Sequence, residues 1–203
     1  SALPVEGWNA QISLLTGIAA AQLMLDAGTG LLRILPRAAD SAIRKLRATA
    51  AALRIPWPED VSYPEFVRAL DPQLGTHAAM LHACTLLFRG AGYEAFHGAA
   101  PEHREHSALA TSYAHVTAPL RRLVDRFGLV ICEALSRDGE VPDWARAALA
   151  TLPEEMKTSD SLAGKAERAV TDIVEAAFMS SRVGQTFEAA VVDKNGKDGL
   201  LVQ

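Results

Sequence analysis

Apolar residues recur at helical spacing over residues 8 to 27, WNAQISLLTGIAAAQLMLDA, a stretch rich in Ala and Leu that stops at Gly28 and Gly30. Steps of three and four bring side chains onto one helical face, so the pattern predicts a long, largely buried helix. From Arg37 to Arg54, Ile43, Leu46, Ala50 and Leu53 recur at the same steps beside a basic face and end before Pro56 and Pro58. Proline pushes the residue before it out of helical geometry, so an amphipathic helix is expected to finish there. A short helix is predicted over Pro64 to Leu70 and another over Gln73 to Phe88, broken at Gly90 and Gly92, with a short strand over Gly92 to Phe96.

Residues 97 to 117 follow neither period. They combine Pro, Gly, four histidines and mixed charge, and predict an irregular loop region that carries function. Helical periodicity returns from Pro119 to Ser136, with proline well placed in a first turn and Leu120, Leu123, Val124, Phe127 and Ile131 as the core-facing stripe. Asp143 to Ala150 and Ser159 to Arg182 predict two further helices. Thr186 to Val192 and Gly199 to Val202 then flank a turn-rich DKNGKDG, the signature of a β-hairpin. The chain has no internal repeat and no low-complexity segment. The expected fold class is α+β, predominantly helical, ending in a short β-hairpin.

Length and composition narrow the setting. A chain of 203 residues can bury one substantial core, because cores usually split only beyond about 250 residues. Hydrophobic residues make up 49% of it, yet no apolar run approaches the roughly 20 residues of a membrane-spanning helix, so a soluble protein is expected. The opening SALPVEG lacks a basic segment followed by an apolar one and does not read as a secretory signal. Cys84 and Cys132 each sit in an apolar helical pattern and are expected as small core hydrophobes, which fits a cytoplasmic setting. A net charge of -4 argues against indiscriminate nucleic-acid binding through a basic surface, but leaves room for a local arginine cluster.

The chemistry concentrates in Tyr113 to Arg126, YAHVTAPLRRLVDR, where Arg121 and Arg122 fall in the opening turn of the helix predicted from Pro119. A helix N-terminus already carries partial positive charge and unpaired amides, so two arginines there are favourable only with an anion beside them. With Thr117 as cap, the free amides and guanidinium groups would form a phosphate cradle. The alternative is a solvated helix face in which Arg121 pairs with Asp125 four residues on. Glu167 is the second oddity, because Ala163, Val170, Val174 and Phe178 share its face. A carboxylate on a buried stripe needs a cation or a polar cleft; at the edge of a wide stripe it is an ordinary surface glutamate. His97, His103 and His106 lack the spacing of a metal site. His115 is readable as a hydrogen-bonded structural histidine or as an RNA contact, and the isolated Trp8, Trp57 and Trp144 as packing residues.

YAHVTAPLRR, with Asp125 three residues later, resembles the signature of the ribonuclease II/R (RNB) family: tyrosine, any residue, histidine, aromatic, threonine, serine, proline, isoleucine, two arginines, then an aspartate. A second stretch, AERAVTDIVEAAFMSSRVGQTFEAAVVD, resembles the family's late helix and its exit into a β-rich RNA-binding domain. The opening EGWNAQISLLTGIAAAQLML is similar to the helix after the family's central catalytic region, with Ala10, Gln11 and Gly17 where an acidic pair and an asparagine often stand. Val116, Ala118, Leu120 and Leu123 also depart from the usual aromatic, serine, isoleucine and tyrosine.

The resemblance implies a 3'-to-5' exoribonuclease that releases nucleoside 5'-monophosphates using Mg²⁺ held by clustered aspartates. It implies that Arg121 grips the scissile phosphate and Glu167 orients Arg121 or the terminal nucleotide, both as catalytic residues. Tyr113, His115, Thr117 and Arg122 are implied as contacts to the 3' end of single-stranded RNA. Before Tyr113, Asp26, Asp40, Asp60 and Asp71 are scattered, so the metal cluster is expected outside this chain, in a missing N-terminal half of the catalytic domain. On that basis residues 1–183 correspond to the C-terminal half of an RNB-like domain and 184–203 to the start of an S1-like, oligonucleotide-binding segment. The chain is then an excised piece, a cleavage product or one part of a split enzyme, inactive by itself. One rival is a non-catalytic RNA-binding or scaffolding module of the same descent. Another is a helical ligand-binding or regulatory domain whose histidine-rich loop forms a small-molecule or metal pocket; it predicts that Arg121 and Glu167 point to different surfaces, whereas the nuclease reading requires their side chains to converge on one cleft.

Overall fold

The computed structural model describes residues 3–88, 90–187, 191–195 and 199–202. The chain packs as two compact units, residues 1–36 with 90–178, and residues 37–89 with 179–203.

The first unit is built on α1 (Pro4–Asp26), β1 (Thr29–Ile34), β2 (Gly92–His97), α5 (Leu123–Ser136), α6 (Asp143–Ala148) and most of α7 (Leu152–Ser180). Helix α1 ends on a left-handed glycine, Gly28 at φ 67°, a conformation in which a side chain would strain the backbone. That turn drops the chain directly into β1, which pairs antiparallel with β2 in the register Thr29 to His97, Arg33 to Tyr93 and Ile34 to Gly92. α1 and α5 pack on this ribbon and on each other. Met24, Leu32, Val124, Ile131, Ala145 and Leu152 lie at the centre of the core. Strand β1 was not anticipated: its glycines read as a helix stop, and LLRIL shows no alternation because Leu31 and Leu32 are both buried.

The second unit carries α2 (Asp40–Ala52), α3 (Tyr63–Arg68), α4 (Gly75–Cys84) continued by a short 3-10 helix (Thr85–Phe88), and the hairpin β3 (Val191–Asn195) and β4 (Gly199–Val202). Ser62 and Glu65 close a capping box on α3, the Glu65 carboxylate accepting from both the backbone N–H and the hydroxyl of Ser62 at 3.1 and 2.6 Å. Leu46, Phe66, Leu70, Met80 and Cys84 form a separate core. Trp57 stacks on Phe66 with centroids 4.1 Å apart, and Arg47 covers its ring.

The α+β, mainly helical class holds. The expected hairpin is present, with its first strand at 191–195 rather than starting at Thr186, where residues 186 and 187 are irregular and 188–190 lie outside the described residues. Cys84 and Cys132 are free thiols, buried and half-buried, as expected of small hydrophobes. Among the described residues no helix is long and apolar enough to cross a membrane.

The long first helix is less buried than its composition suggested. Val5, Trp8, Ile12 and Leu15 form an exposed stripe at steps of three and four, while only its second half, through Gly17, Ala20, Ala21 and Met24, is buried. An uncovered apolar stripe of this length favours association. The chain is expected to dimerise or aggregate at micromolar concentration, and Trp8→Glu combined with Ile12→Glu to restore a monomer. Light scattering after size exclusion tests this, and a wild-type chain that elutes as a clean monomer sinks it. Within the core, Ile131→Ala is expected to cost about 2–5 kcal/mol in urea unfolding, because it empties a fully buried site.

Candidate functional site: the Tyr113–Asp125 loop

The helix predicted from Pro119 begins at Leu123, with Arg122 in extended geometry as its N-cap, and residues 119–121 form a turn before it. The arginines therefore precede the helix rather than occupy its first turn, and Thr117 is not its cap. The reason is Asp125. It is 0% exposed and receives three hydrogen bonds: the Ala118 backbone N–H at 2.7 Å, Arg122 Nε–H at 2.8 Å and Arg122 Nη2–H at 2.7 Å. The carboxylate binds Arg122 through both oxygens and also holds the loop backbone, which bends the chain before α5 instead of letting the helix extend backwards.

The partner of Asp125 is thus Arg122, not Arg121. Asp125, offered above as one end of a solvated pair, instead lies inside the core. Leu120, expected within that stripe, is fully exposed in the turn, and Leu123 is exposed too. Arg122 is raised above its ordinary pKa: burial pulls it down, but the hydrogen bonds and charge of Asp125 outweigh that.

The upstream part of the loop runs along β1. The Arg33 N–H donates to the Tyr113 carbonyl at 2.8 Å, and the Ala114 N–H donates to the Gly17 carbonyl of α1 at 3.1 Å. A Cβ at Gly17 would lie 2.6 Å from the Ala114 carbonyl oxygen and would also strike the Tyr113 ring. Gly17, which departs from the expected motif, is therefore what lets α1 approach the loop this closely. Thr117 and Ser13 join hydroxyls across the same junction at 2.7 Å.

Aromatic and histidine rings gather behind the loop. Tyr113 is buried edge-on to both His106 and His115, and Tyr93 OH lies 2.9 Å from His115 Nδ1. The Arg33 guanidinium sits 4.8 Å from the centroid of the Tyr93 ring, its cross-strand neighbour. Burial first, and then the cations Arg122 and Arg33, push His115 down to about 4, so it is neutral at physiological pH. Burial and Arg33 lower His106 as well, and its Nδ1 is enclosed without a hydrogen-bond partner among the described residues. Burial raises both Tyr93 and Tyr113.

Arg121 is exposed, and its side chain has no hydrogen bond or ion pair among the described residues. Glu167 lies on α7, where Ala163, Val170, Val174 and Phe178 are all exposed along with it. The stripe that seemed to demand a buried partner for Glu167 faces solvent in this chain, and no ion pair joins Glu167 to Arg121 among the described residues. His97 Nδ1 bonds to Thr29 Oγ1 at 3.1 Å. No three His, Cys, Asp or Glu side chains gather as a metal site among the described residues. Arg33 and Tyr93 are members of the site that sequence reasoning missed, and Gly17, named above only as a departure from the family's motif, is another member of it. Only the strand pairing and the helix contact bring them in, although GlyTyr after the Gly90 break already marked a strand start.

A helix and a two-stranded ribbon thus hold an arginine-bearing loop between them. No family model matches the sequence, and no curated protein matches it. Two solved structures of Mycoplasma genitalium RNase R do match in three dimensions. The complex with ribose-methylated single-stranded RNA has a TM-score of 0.67 over 97% of this chain, and the apo form 0.68 over 98%, each at 17% identity. The chain spans 32% of the length of those structures. The likeness establishes an RNase R-like fold.

Two tests follow from the loop. Asp125→Ala strands a largely buried guanidinium, 19% exposed, and frees the Ala118 amide. It is expected to destabilise the chain by about 3 kcal/mol or more in urea unfolding, as removal of one member of a buried pair does. A loss below about 1 kcal/mol contradicts the assigned role. The second test concerns pH. The folded pKa of His115 lies below its unfolded value, so the unfolded chain binds more protons between them. Its contribution to stability is present above about 6.5 and is lost as pH falls toward 4. His115→Gln is expected to flatten the decline of Tm over that window, and an unchanged slope contradicts the assignment.

Proposed function

We propose that the chain is the C-terminal half of the catalytic domain of a 3'-to-5' exoribonuclease that hydrolyses RNA to nucleoside 5'-monophosphates, with the hairpin region beginning an oligonucleotide-binding segment. The observation that carries the reading is the loop from Tyr113 to Asp125: its backbone is pinned by the buried Arg122–Asp125 pair, and it presents an exposed Arg121 that has no ion pair among the described residues. The RNase R-like fold and the RNB-like sequence at the same loop support it together.

In this reading Arg121 grips the scissile phosphate and neutralises charge that grows on its oxygens, an interaction expected to matter more for turnover than for binding. The Arg122–Asp125 pair holds the turn so that Arg121 pays little entropy on meeting the phosphate. Glu167 orients Arg121 or the terminal nucleotide once RNA lies between them. Tyr113, His115 and Thr117 line the path of a single-stranded 3' end, with Tyr113 and Thr117 acting mainly by shaping the loop, given their contacts to His115 and Ser13. In this reading Mg²⁺ is held by aspartates outside this chain. A cytoplasmic, membrane-free setting goes with this activity.

The test is degradation of 5'-labelled single-stranded RNA with Mg²⁺ by this chain, by the longer protein that the reading requires, and by that protein carrying Arg121→Ala. The longer protein is expected to shorten RNA from its 3' end, the 203-residue chain to leave it intact, and Arg121→Ala to slow turnover on the order of a hundredfold with a smaller change in KM. If the longer protein binds RNA without shortening it, the non-catalytic RNA-binding module replaces this reading. Degradation by the chain alone would place the metal site wrongly.

A further inference from the structure

Tyr93 has no counterpart in the motif that the sequence brought forward, yet it is the residue that touches His115 most directly. It lies on β2, opposite Arg33 on β1, so both side chains rise from one face of the ribbon toward the loop. Its hydroxyl is 2.9 Å from His115 Nδ1, and the ring nitrogen and the phenol can in principle donate either way.

Three features decide the direction. An imidazole lone pair is a stronger acceptor than a phenol oxygen. The Arg33 guanidinium, 4.8 Å from the Tyr93 ring centre, draws electron density from the ring, which strengthens O–H as a donor and weakens the oxygen as an acceptor. Burial keeps the phenol protonated. Tyr93 O–H therefore donates, His115 Nδ1 accepts, and the ring proton resides on Nε2.

His115 Nε2 has no hydrogen bond among the described residues and, unlike His106 Nδ1, is not enclosed. The charges around His115 are Arg122, Arg33 and Asp125, with His106 also facing it; Asp125 is already committed to Arg122 and the loop amide. The surroundings of the His115 ring are thus net cationic, which suits an anionic acceptor.

We propose that Tyr93 is a positioning residue that locks His115 in its Nε2–H tautomer, so that this neutral N–H donates to a non-bridging oxygen of an RNA phosphodiester. The proposal rests on the RNA-binding reading of the loop and goes beyond it by naming the atom, its protonation and the residue that sets it. A neutral donor suits this place because the neighbouring guanidiniums already supply the charge. A third cation would repel them, whereas an N–H adds direction without charge. Without Tyr93 the ring is free to carry its proton on either nitrogen, and the fraction with Nδ1–H presents only a lone pair toward the phosphate.

The test is long-range ¹H–¹⁵N correlation spectroscopy of the histidine rings at pH 7 on the 203-residue chain, wild type and Tyr93→Phe, with and without a short single-stranded oligouridylate, together with RNA affinity by fluorescence anisotropy. In the wild type the His115 pattern is expected to be that of Nε2–H, with the Nε2 signal shifting on RNA addition. Tyr93→Phe is expected to give a tautomer mixture and to weaken RNA binding by about three- to fivefold, the loss of roughly one modest hydrogen bond. An Nδ1–H pattern in the wild type overturns the proposal. So does a Tyr93→Phe variant that binds RNA as the wild type does, in which case the RNA-binding reading of the loop survives. Absence of RNA binding by the wild type overturns that reading and the phosphate contact with it, even when the tautomer is as expected. If Tyr93→Phe fails to fold, as judged by its backbone amide spectrum, the wild-type tautomer and its response to RNA decide alone.

Discussion

The site depends on one buried carboxylate. Asp125 accepts hydrogen bonds from a main-chain amide seven residues earlier and from the Nε–H and Nη2–H edge of Arg122, with no exposure to solvent. Taking a charge out of water is costly, and the structure offsets that cost by giving the carboxylate a cation and three donors at 2.7–2.8 Å. The consequence is geometric. The pair sets where α5 starts and how the loop enters it, and it leaves Arg121 projecting from a turn whose backbone is fixed.

Around that anchor the first unit uses small residues to bring backbone near backbone. Gly17 allows the loop to bond directly to α1, and Gly128 on α5 lets Val116 approach, a Cβ there lying 3.0 Å from the valine methyl. Val116, which stands where related motifs carry an aromatic, is buried in the core, so a smaller side chain is matched by a closer helix. The same crowding dries the histidine cluster, and with two guanidiniums nearby it keeps His115 uncharged. Cationic side chains and a neutral imidazole then sit side by side.

The opposite condition holds on the exposed lengths of α1 and α7. Trp8, Ile12 and Leu15 on the first, and Leu162, Ile173 and Phe178 on the last, keep apolar faces in water. Both helices owe their length to good helix formers and to burial at one end only: α1 through its second half and α7 through Leu152 and Met156.

The sequence by itself determined most of the helices, the hairpin and the loop that matters, because period and proline or glycine punctuation are local properties. It also marked Arg121, Arg122 and Asp125 as belonging together. It did not determine which arginine meets Asp125, since four-residue spacing favours Arg121 only if a regular helix already exists there, and the carboxylate's bond to the Ala118 amide prevents that helix. Nor did it reveal β1, whose adjacent buried leucines do not alternate, or the partnership of Arg33 and Tyr93 with His115, which are brought together by strand register across some sixty residues of intervening chain. Glu167 shows the converse: its apolar neighbours suggested burial, but burial needs a covering surface, and periodicity alone carries no information about one. Local preference is written along the chain. Which polar group is buried, and against whom, is decided only when distant segments pack.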